Sequence, residues 1–395
     1  MWPMMSIGRL QPYNSLTVPR SEDQDNILKS ILSSKKSLTL RKIDKPIVLY
    51  GAGKLGRMAK EFFDYVGQPI SFVVDIYADR QATDPFWKNT KVVHPQDVTQ
   101  SDKDEHLLIV CIVTSPLIAL RDKLTTEGWE DIAFFYDIAQ TYSGRHPLNN
   151  GWLVNEFTPA DRKNIREVFS SLHDEISRAH YLQFLAWRRT RVELLFEKAP
   201  IQGDNRFFIP EVLKVLHEKE VFVDCGAHKG FVIDKFLETM HGRYKKIYAI
   251  EPDMSNYKIL KKAFGDKEDL KLVESALTSK KGERSFYRGF DFASKISPKG
   301  TELIKTMPLD DLDIPATFIK MHLEGGELNA LKGALRTIRD YRPILALTVY
   351  HNSDGIWKTP LFLMRNLENY SFIMRLHSWA GTGMVLYAIP KENRA

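Results

Sequence analysis

The stretch Val221-Phe222-Val223-Asp224-Cys225-Gly226-Ala227-His228-Lys229-Gly230, followed by Ile250-Glu251-Pro252-Asp253, decides the reading of this chain. An apolar strand runs into a glycine turn that opens a helix, and a second strand ends in an acid. The glycines at 226 and 230 let the backbone approach a ligand where a Cβ would stand in the way. Glu251, roughly 20–25 residues on, is placed to take the two hydroxyls of a ribose, as the acid of a dinucleotide fold does. The turn lacks the complete G-x-G-x-x-G, and Asp224 puts a carboxylate where a pyrophosphate would lie. An acid there suits a cationic or amino-bearing ligand, and S-adenosylmethionine offers both an adenosine and an amino acid.

Strands and helices alternate outward from this motif. Strands are predicted at Val221–Cys225, Lys246–Ile250, Leu270–Glu274, Phe318–Met321, Ile344–Tyr350, Ser371–His377 and Met384–Ile389. Helices are predicted at Val232–Met240, Ser255–Phe264, Leu328–Arg339 and Pro360–Leu367. Only Ser378 to Gly383 separates the last two strands, and so short a link demands an antiparallel hairpin. Five parallel strands with a terminal hairpin is the layout of class I methyltransferases. In an open parallel sheet, ligands bind beyond the carboxyl ends of the strands. Those ends carry Asp224 and Gly226, Glu251, Glu274 with Ser275, His322 with Glu324, and His351.

Residues 204–390 resemble the FkbM family of S-adenosylmethionine-dependent methyltransferases. The matching pieces are Val223 to Ala227, Glu251-Pro252-Asp253 with Asn256, Phe318-Ile319-Lys320-Met321, Glu324-Gly325-Gly326-Glu327 and Leu331-Lys332-Gly333-Ala334. The tail adds Pro343, Val349-Tyr350-His351, Trp357, Pro360, Arg375 and Leu386-Tyr387-Ala388. The resemblance implies a class I fold, S-adenosylmethionine as methyl donor, and O-methylation of a sugar or polyketide hydroxyl. It implies a cofactor loop of Asp224, Gly226, Ala227 and Gly230. Glu251 and Pro252 then lie at the ribose, and Ser275, Ala276 and Leu277 flank the adenine.

Two departures stand out. The family shows Asp-Phe-Ile-Lys-x-Asp before Glu-Gly; here Thr317 replaces the first Asp and His322 the second. His322, with an intrinsic pKa near neutrality, is a candidate general base, as is His351. Lys320 and Glu324 read as orienting groups, mutual pairing being the simple case. Thr317 and His322 also leave room for a non-catalytic protein that keeps the fold. The second departure is Asn352-Ser353-Asp354-Gly355-Ile356-Trp357, where relatives read Glu-Asp-Leu-Trp. The loss of acids there weakens a metal site built on them, and no metal ligands are assigned.

The earlier half has its own motif. Pro46 to Tyr50 is a buried strand, and Gly51-Ala52-Gly53-Lys54-Leu55-Gly56 opens a helix from Arg57. Asp75 ends a second strand, Ile70–Val74. Two further strands are predicted at Leu107–Val113 and Ile132–Tyr136. This is a full dinucleotide fingerprint with its acid about 20 residues on. Through Val92-Val93-His94-Pro95 it resembles the Rossmann-like domains attached to sugar-modifying transferases of bacterial glycan pathways. NAD, a sugar nucleotide and no ligand all stay open, and an NAD-linked oxidoreductase is the rival reading.

The predicted organisation is an N-terminal extension (1–44), a Rossmann-like α/β domain (45–145), a helical linker (146–203) and a methyltransferase domain (204–395). Thr158 is the expected N-cap, and Pro159 the first residue, of the first of two linker helices. A chain of 395 residues has room for two or three domains. Its 43% apolar and 27% charged residues suit a soluble globular protein. No apolar run is long enough to span a bilayer, and Met1–Arg20 lacks the continuous apolar core of a signal peptide. Cys111 and Cys225 sit in apolar strands as buried thiols, which fits a reducing cytoplasm. The net charge of +6 has one cluster, Arg188-Arg189-Thr190-Arg191. A solvated helix face or an acidic-substrate contact suits it better than nucleic acid. The expected partner is a small-molecule or glycan substrate, and a homo-oligomer stays open.

Overall fold

The computed structural model describes residues 21–35, 40–146, 148, 150, 152–154, 156–289 and 293–392. The first apolar run, β1 (Ile47–Tyr50), is buried throughout, as a central strand covered on both faces must be. With β2 (Ile70–Val74), β3 (Val92–Val93), β4 (Leu107–Val110) and β5 (Ile132–Phe134) it forms a parallel sheet ordered β3-β2-β1-β4-β5. The two-residue β3 escaped the sequence reading. β5 is shorter than predicted because Phe135 already begins the helix Phe135–Thr141.

The second sheet holds all seven predicted strands: β6 (Val221–Cys225), β7 (Lys246–Ile250), β8 (Leu270–Val273), β13 (Phe318–Met321), β14 (Ile344–Thr348), β15 (Tyr370–Leu376) and β16 (Met384–Pro390). Their order is β15-β16-β14-β13-β6-β7-β8, with β16 antiparallel to both β14 and β15 and the other five parallel. This is the class I methyltransferase arrangement. The order reverses between β6 and β13, where the ligand crevice of such sheets opens.

Between β8 and β13 lies a four-stranded sheet that the sequence reading passed over. Its strands are β9 (Ala276–Leu277), β10 (Gly282–Tyr287), β11 (Lys295–Ile296) and β12 (Glu302–Met307), ordered β11-β10-β12-β9. Most residues of β10 and β12 remain exposed or half-exposed, so an apolar periodicity is nearly absent. The helix predicted over Leu328–Arg339 is two helices, Glu327–Lys332 and Leu335–Tyr341. They part at Gly333, where a Cβ would stand 2.2 Å from the Thr278 carbonyl oxygen. The last helix starts earlier than predicted, at Gly355, with Pro360 inside it. Pro360 has no N–H for the Ile356 carbonyl; the Tyr181 hydroxyl donates to it instead, at 3.4 Å.

Helices Pro159–Ser171 and Glu175–Thr190 join the halves, the first capped by Thr158 in a reciprocal box with Asp161. Leu182, Phe184 and Leu185 of the second enter the core of the larger sheet, and Trp187 enters that of the smaller one. The arginine cluster on this helix is not a solvated face. Arg188 and Arg189 are buried, and Arg188 donates to the carbonyls of Tyr350, Asn352 and Gly381. Arg191 pairs with Asp137 of the N-terminal half. These charges bind the halves together, which removes them from any role with an acidic substrate. Cys111 and Cys225 are both buried free thiols. Among the described residues, no helix is long and apolar enough to cross a membrane.

Glu193 also crosses between the halves. Its carboxylate accepts the Leu117 and Ile118 N–H groups, at 2.8 and 3.2 Å, at the start of helix Leu117–Thr126. Burial nevertheless pushes its pKa up from 4.5 to about 7. The unfolded chain therefore releases this proton first as pH rises. The associated stability is full below about pH 4.5 and is lost as pH passes 7, a decline of at most about 3 kcal/mol. Urea unfolding between pH 5 and 8 should show this slope, and Glu193→Gln should flatten it.

Candidate active site

The loops at the carboxyl ends of β6, β7, β13 and β14, roofed by the small sheet, enclose a cavity of about 340 Å³. At its first wall, Gly226 has φ +76°, and a Cβ there would lie 2.2 Å from the His322 carbonyl oxygen. The loops after β6 and β13 thus cross at a distance only glycine permits. Lys320 fixes this crossing. Its ammonium donates to Asp224 Oδ1 at 2.7 Å and to the Gly226 carbonyl at 2.8 Å. Burial pushes the Asp224 carboxyl up and Lys320 draws it back down. The second oxygen, Oδ2, has no hydrogen-bond partner among the described residues.

Asp224 therefore sits behind the cavity wall, paired with Lys320, and Lys320 does not pair with Glu324. Ala227 and Gly230 also stand outside the lining. Gly230 is the N-cap of helix Phe231–Thr239, with φ +92°, and a Cβ there would meet the Phe264 ring at 2.4 Å. These three shape the turn without facing the cavity.

Glu251 does face it. The side chain is buried; Oε2 accepts the His228 N–H at 2.7 Å and Oε1 accepts the Asp253 N–H at 2.9 Å. Burial raises its pKa while these backbone bonds oppose the rise. A carboxylate has about four acceptor positions, so two stay open for a diol. Pro252, Ser275 and Ala276 line the same wall, with Asn256 beside them. Ile250, Leu277 and Phe286 supply an apolar face suited to a planar base. A diol acceptor beside an apolar slot, reached over a glycine turn, fits an adenosyl group.

The opposite end is a cluster of three titratable groups. His322 follows β13, His351 follows β14, and Glu324 lies between with φ +50°. His322 Nε2 is 3.0 Å from His351 Nε2, 3.0 Å from Glu324 Oε1 and 3.3 Å from the Tyr350 hydroxyl. His351 Nδ1 is 3.1 Å from Glu324 Oε2. Tyr350 packs on the His351 ring at 4.0 Å between centroids. Glu327 holds this loop, accepting from the Leu323 and Gly325 N–H groups and the Thr348 hydroxyl at 2.9, 3.1 and 2.6 Å. Burial pushes both imidazoles well below their ordinary range, and the nearby Arg206 adds to it. Both rings are thus neutral near pH 7, as proton acceptors must be. Burial, then Glu327, pushes Glu324 up.

Thr317 lies at the amino end of β13, on the far edge of the sheet. It accepts the Val221 N–H at 2.8 Å and bonds Glu220. Its departure from the family pattern does not touch the cavity. Asp354 forms a surface pair with Lys358 at 2.5 Å. The sequence reading missed Lys295 on β11, together with Ser294, Asn329 and Asn352, all of which line the cavity. Burial draws the Lys295 pKa down to about 8, with Glu324 opposing.

In the N-terminal half, Gly51, Gly53 and Gly56 form the expected turn, and Asp75 is half-buried beside it. Its oxygens accept the Ala52 and Tyr77 N–H groups at 2.7 and 2.8 Å. Trp87 closes on the same turn, donating to the Ala52 carbonyl at 3.2 Å. A Cβ on Gly56 would lie 2.0 Å from the Gly51 carbonyl oxygen, so this glycine serves the packing of helix Lys54–Val66.

The larger sheet and its cavity define a class I methyltransferase. More narrowly, residues 224–374 match the methyltransferase FkbM domain, whose cofactor is S-adenosylmethionine. Among solved structures, methyltransferase FkbM from Methylobacillus flagellatus KT is 16% identical. The alignment covers 96% of this chain and 95% of that one with a TM-score of 0.60, so both halves share its fold. An rRNA methylase from Streptococcus thermophilus is 16% identical over 45% of this chain and 89% of its own, with a TM-score of 0.29. The precorrin-6y C5,15-methyltransferase from Geobacter metallireducens GS-15 is 17% identical over 48% and 92%, with a TM-score of 0.30. A search of curated proteins found no match.

Proposed function

We propose that the protein methylates a hydroxyl of a sugar, sugar nucleotide or glycan. One observation carries this reading: a single cavity runs from the Glu251 diol acceptor to His322 and Glu324. Bound S-adenosylmethionine supplies a methyl group already activated by its sulfonium. The chain's task is then alignment and proton removal. Glu251, with Gly226, Pro252, Ser275 and Ala276, would hold the adenosyl part. Asp224 and Lys320 set the turn from behind. Holding the acceptor oxygen in line supplies much of the rate. Lys295, Asn329 and Asn352 offer hydrogen bonds to a hydroxyl-rich acceptor. The His322–His351–Glu324 cluster meets the reacting hydroxyl, whose proton has neutral imidazole nitrogens to go to.

The test is mass spectrometry with isotopically labelled S-adenosylmethionine and a panel of nucleotide sugars and oligosaccharides. A labelled methyl ether is the expected product. His322→Ala should lower kcat by about 10²–10⁴ while leaving S-adenosylmethionine affinity within about threefold. Label found only on nitrogen or carbon, or an unchanged kcat in His322→Ala, would contradict the proposal.

A further inference from the structure

The cluster at the acceptor end has more polar atoms than hydrogen bonds can serve. His322 Nε2 carries one proton or one lone pair, yet three polar atoms lie within 3.3 Å of it. His351 is 2% exposed, and its Nδ1 lies 3.1 Å from Glu324 Oε2 without the alignment of a hydrogen bond. A buried polar atom left in this way costs free energy and calls for an explanation. One ligand atom each from His322, Glu324 and His351 lies within 4.8 Å of the other two. A tetrahedral zinc site with bonds of about 2.0–2.1 Å has its ligand atoms about 3.3–3.4 Å apart. The 3.0–3.1 Å contacts use both nitrogens of His351 and both oxygens of Glu324. With one ligand atom from each residue the set lies within 4.8 Å, so side-chain rotation must close it on an ion.

We propose that His322, Glu324 and His351 form a binding site for one divalent transition-metal ion, with a fourth position open to the cavity. Two imidazoles and one carboxylate select zinc, cobalt, iron or manganese over magnesium and calcium, which prefer an all-oxygen shell. The scaffold is rigid on both sides. Glu327 pins the loop bearing Glu324 through three hydrogen bonds, and Tyr350 packs at a tilt against His351. Lys295 and Arg206 add positive charge beside the cluster, so an anionic oxygen is the favoured fourth ligand. That ligand would be the acceptor oxygen, and this part of the inference rests on the methyl-transfer reading. In the loaded protein His322 would be a ligand, and the ion would lower the pKa of the bound hydroxyl so that its proton leaves to solvent before methyl transfer. Imidazole as proton acceptor describes the metal-free protein.

The test uses the full chain without a histidine tag, stripped with chelator and titrated with Co²⁺ and then Zn²⁺. The expected result is one ion per chain by elemental analysis, a visible cobalt absorption band, and displacement of that band by Zn²⁺ but not by Mg²⁺. His351→Ala and Glu324→Gln should each weaken Co²⁺ binding at least about 100-fold, beyond the loss typical of outer-shell changes. S-adenosylmethionine affinity in the same samples reports the fold and the adenosyl site separately. No band from protein that binds S-adenosylmethionine, or binding that survives both substitutions, would overturn the metal site while leaving methyl transfer standing. Cobalt binding in protein that takes no S-adenosylmethionine would have the converse meaning.

Discussion

Glu251→Ala is expected to weaken S-adenosylmethionine binding by about 10²–10⁴-fold, because a hydrogen bond to a charged group contributes about 1.5–3 kcal/mol and a ribose diol would make two. The side chain is buried at the cavity wall, with one position on each oxygen already taken by the His228 and Asp253 amides. Its removal strips both the diol acceptor and the two bonds that shape the neighbouring turns. Glu251→Gln separates these effects. It keeps an acceptor for one of the two backbone amides but sets its NH2 against the other and loses the charge, so it should retain more of the stability than Glu251→Ala while losing most of the affinity. Isothermal titration calorimetry on both variants, with thermal unfolding alongside, gives the two quantities independently.

Lys320→Met should be the most damaging single change to the scaffold, destabilising the domain by about 3–5 kcal/mol. Lys320 and Asp224 are both buried and lie opposite one another on β13 and β6. Removing the ammonium strands a carboxylate with no solvent and leaves the Gly226 carbonyl without its donor. Asp224→Asn in the same chain should recover much of that loss, since the neutral amide needs no counter-charge. Urea unfolding of the two single variants and the double variant measures the coupling. A Lys320→Met protein of native stability with no activity would instead make Lys320 a group that touches substrate.

The alternation of apolar strands and helical turns was readable because the strands of the two larger sheets, parallel except at the terminal hairpin, are mostly buried and form near-continuous apolar runs. All seven strands of the larger sheet fall within a residue or two of expectation. Glu251, Pro252, Ser275 and Ala276 were placed at strand ends by motif, and the cavity lies there. What sequence could not supply was adjacency. Asp224 and Lys320 are 96 positions apart and meet only because β6 and β13 pair in that register. His322 and His351 converge because β13 and β14 are neighbours in a sheet ordered differently from the chain. His322-x-Glu324 with His351 far along the chain carries no sequence signal of a shared site. The small sheet bearing Phe286 and Lys295 was missed because few of its residues are buried. Asp75 is a further case of a motif acid with a local structural role. The fingerprint is complete, and its acid also braces the local backbone, accepting one amide of the glycine turn and one of its own loop.

The most direct test is a crystal structure of the full chain with S-adenosylhomocysteine. The ribose hydroxyls should lie within hydrogen-bond distance of Glu251, the adenine against Leu277 and Phe286, and the sulfur directed toward His322 and Glu324. A ligand bound elsewhere, or bound in this cavity with Glu251 unengaged, would contradict the account.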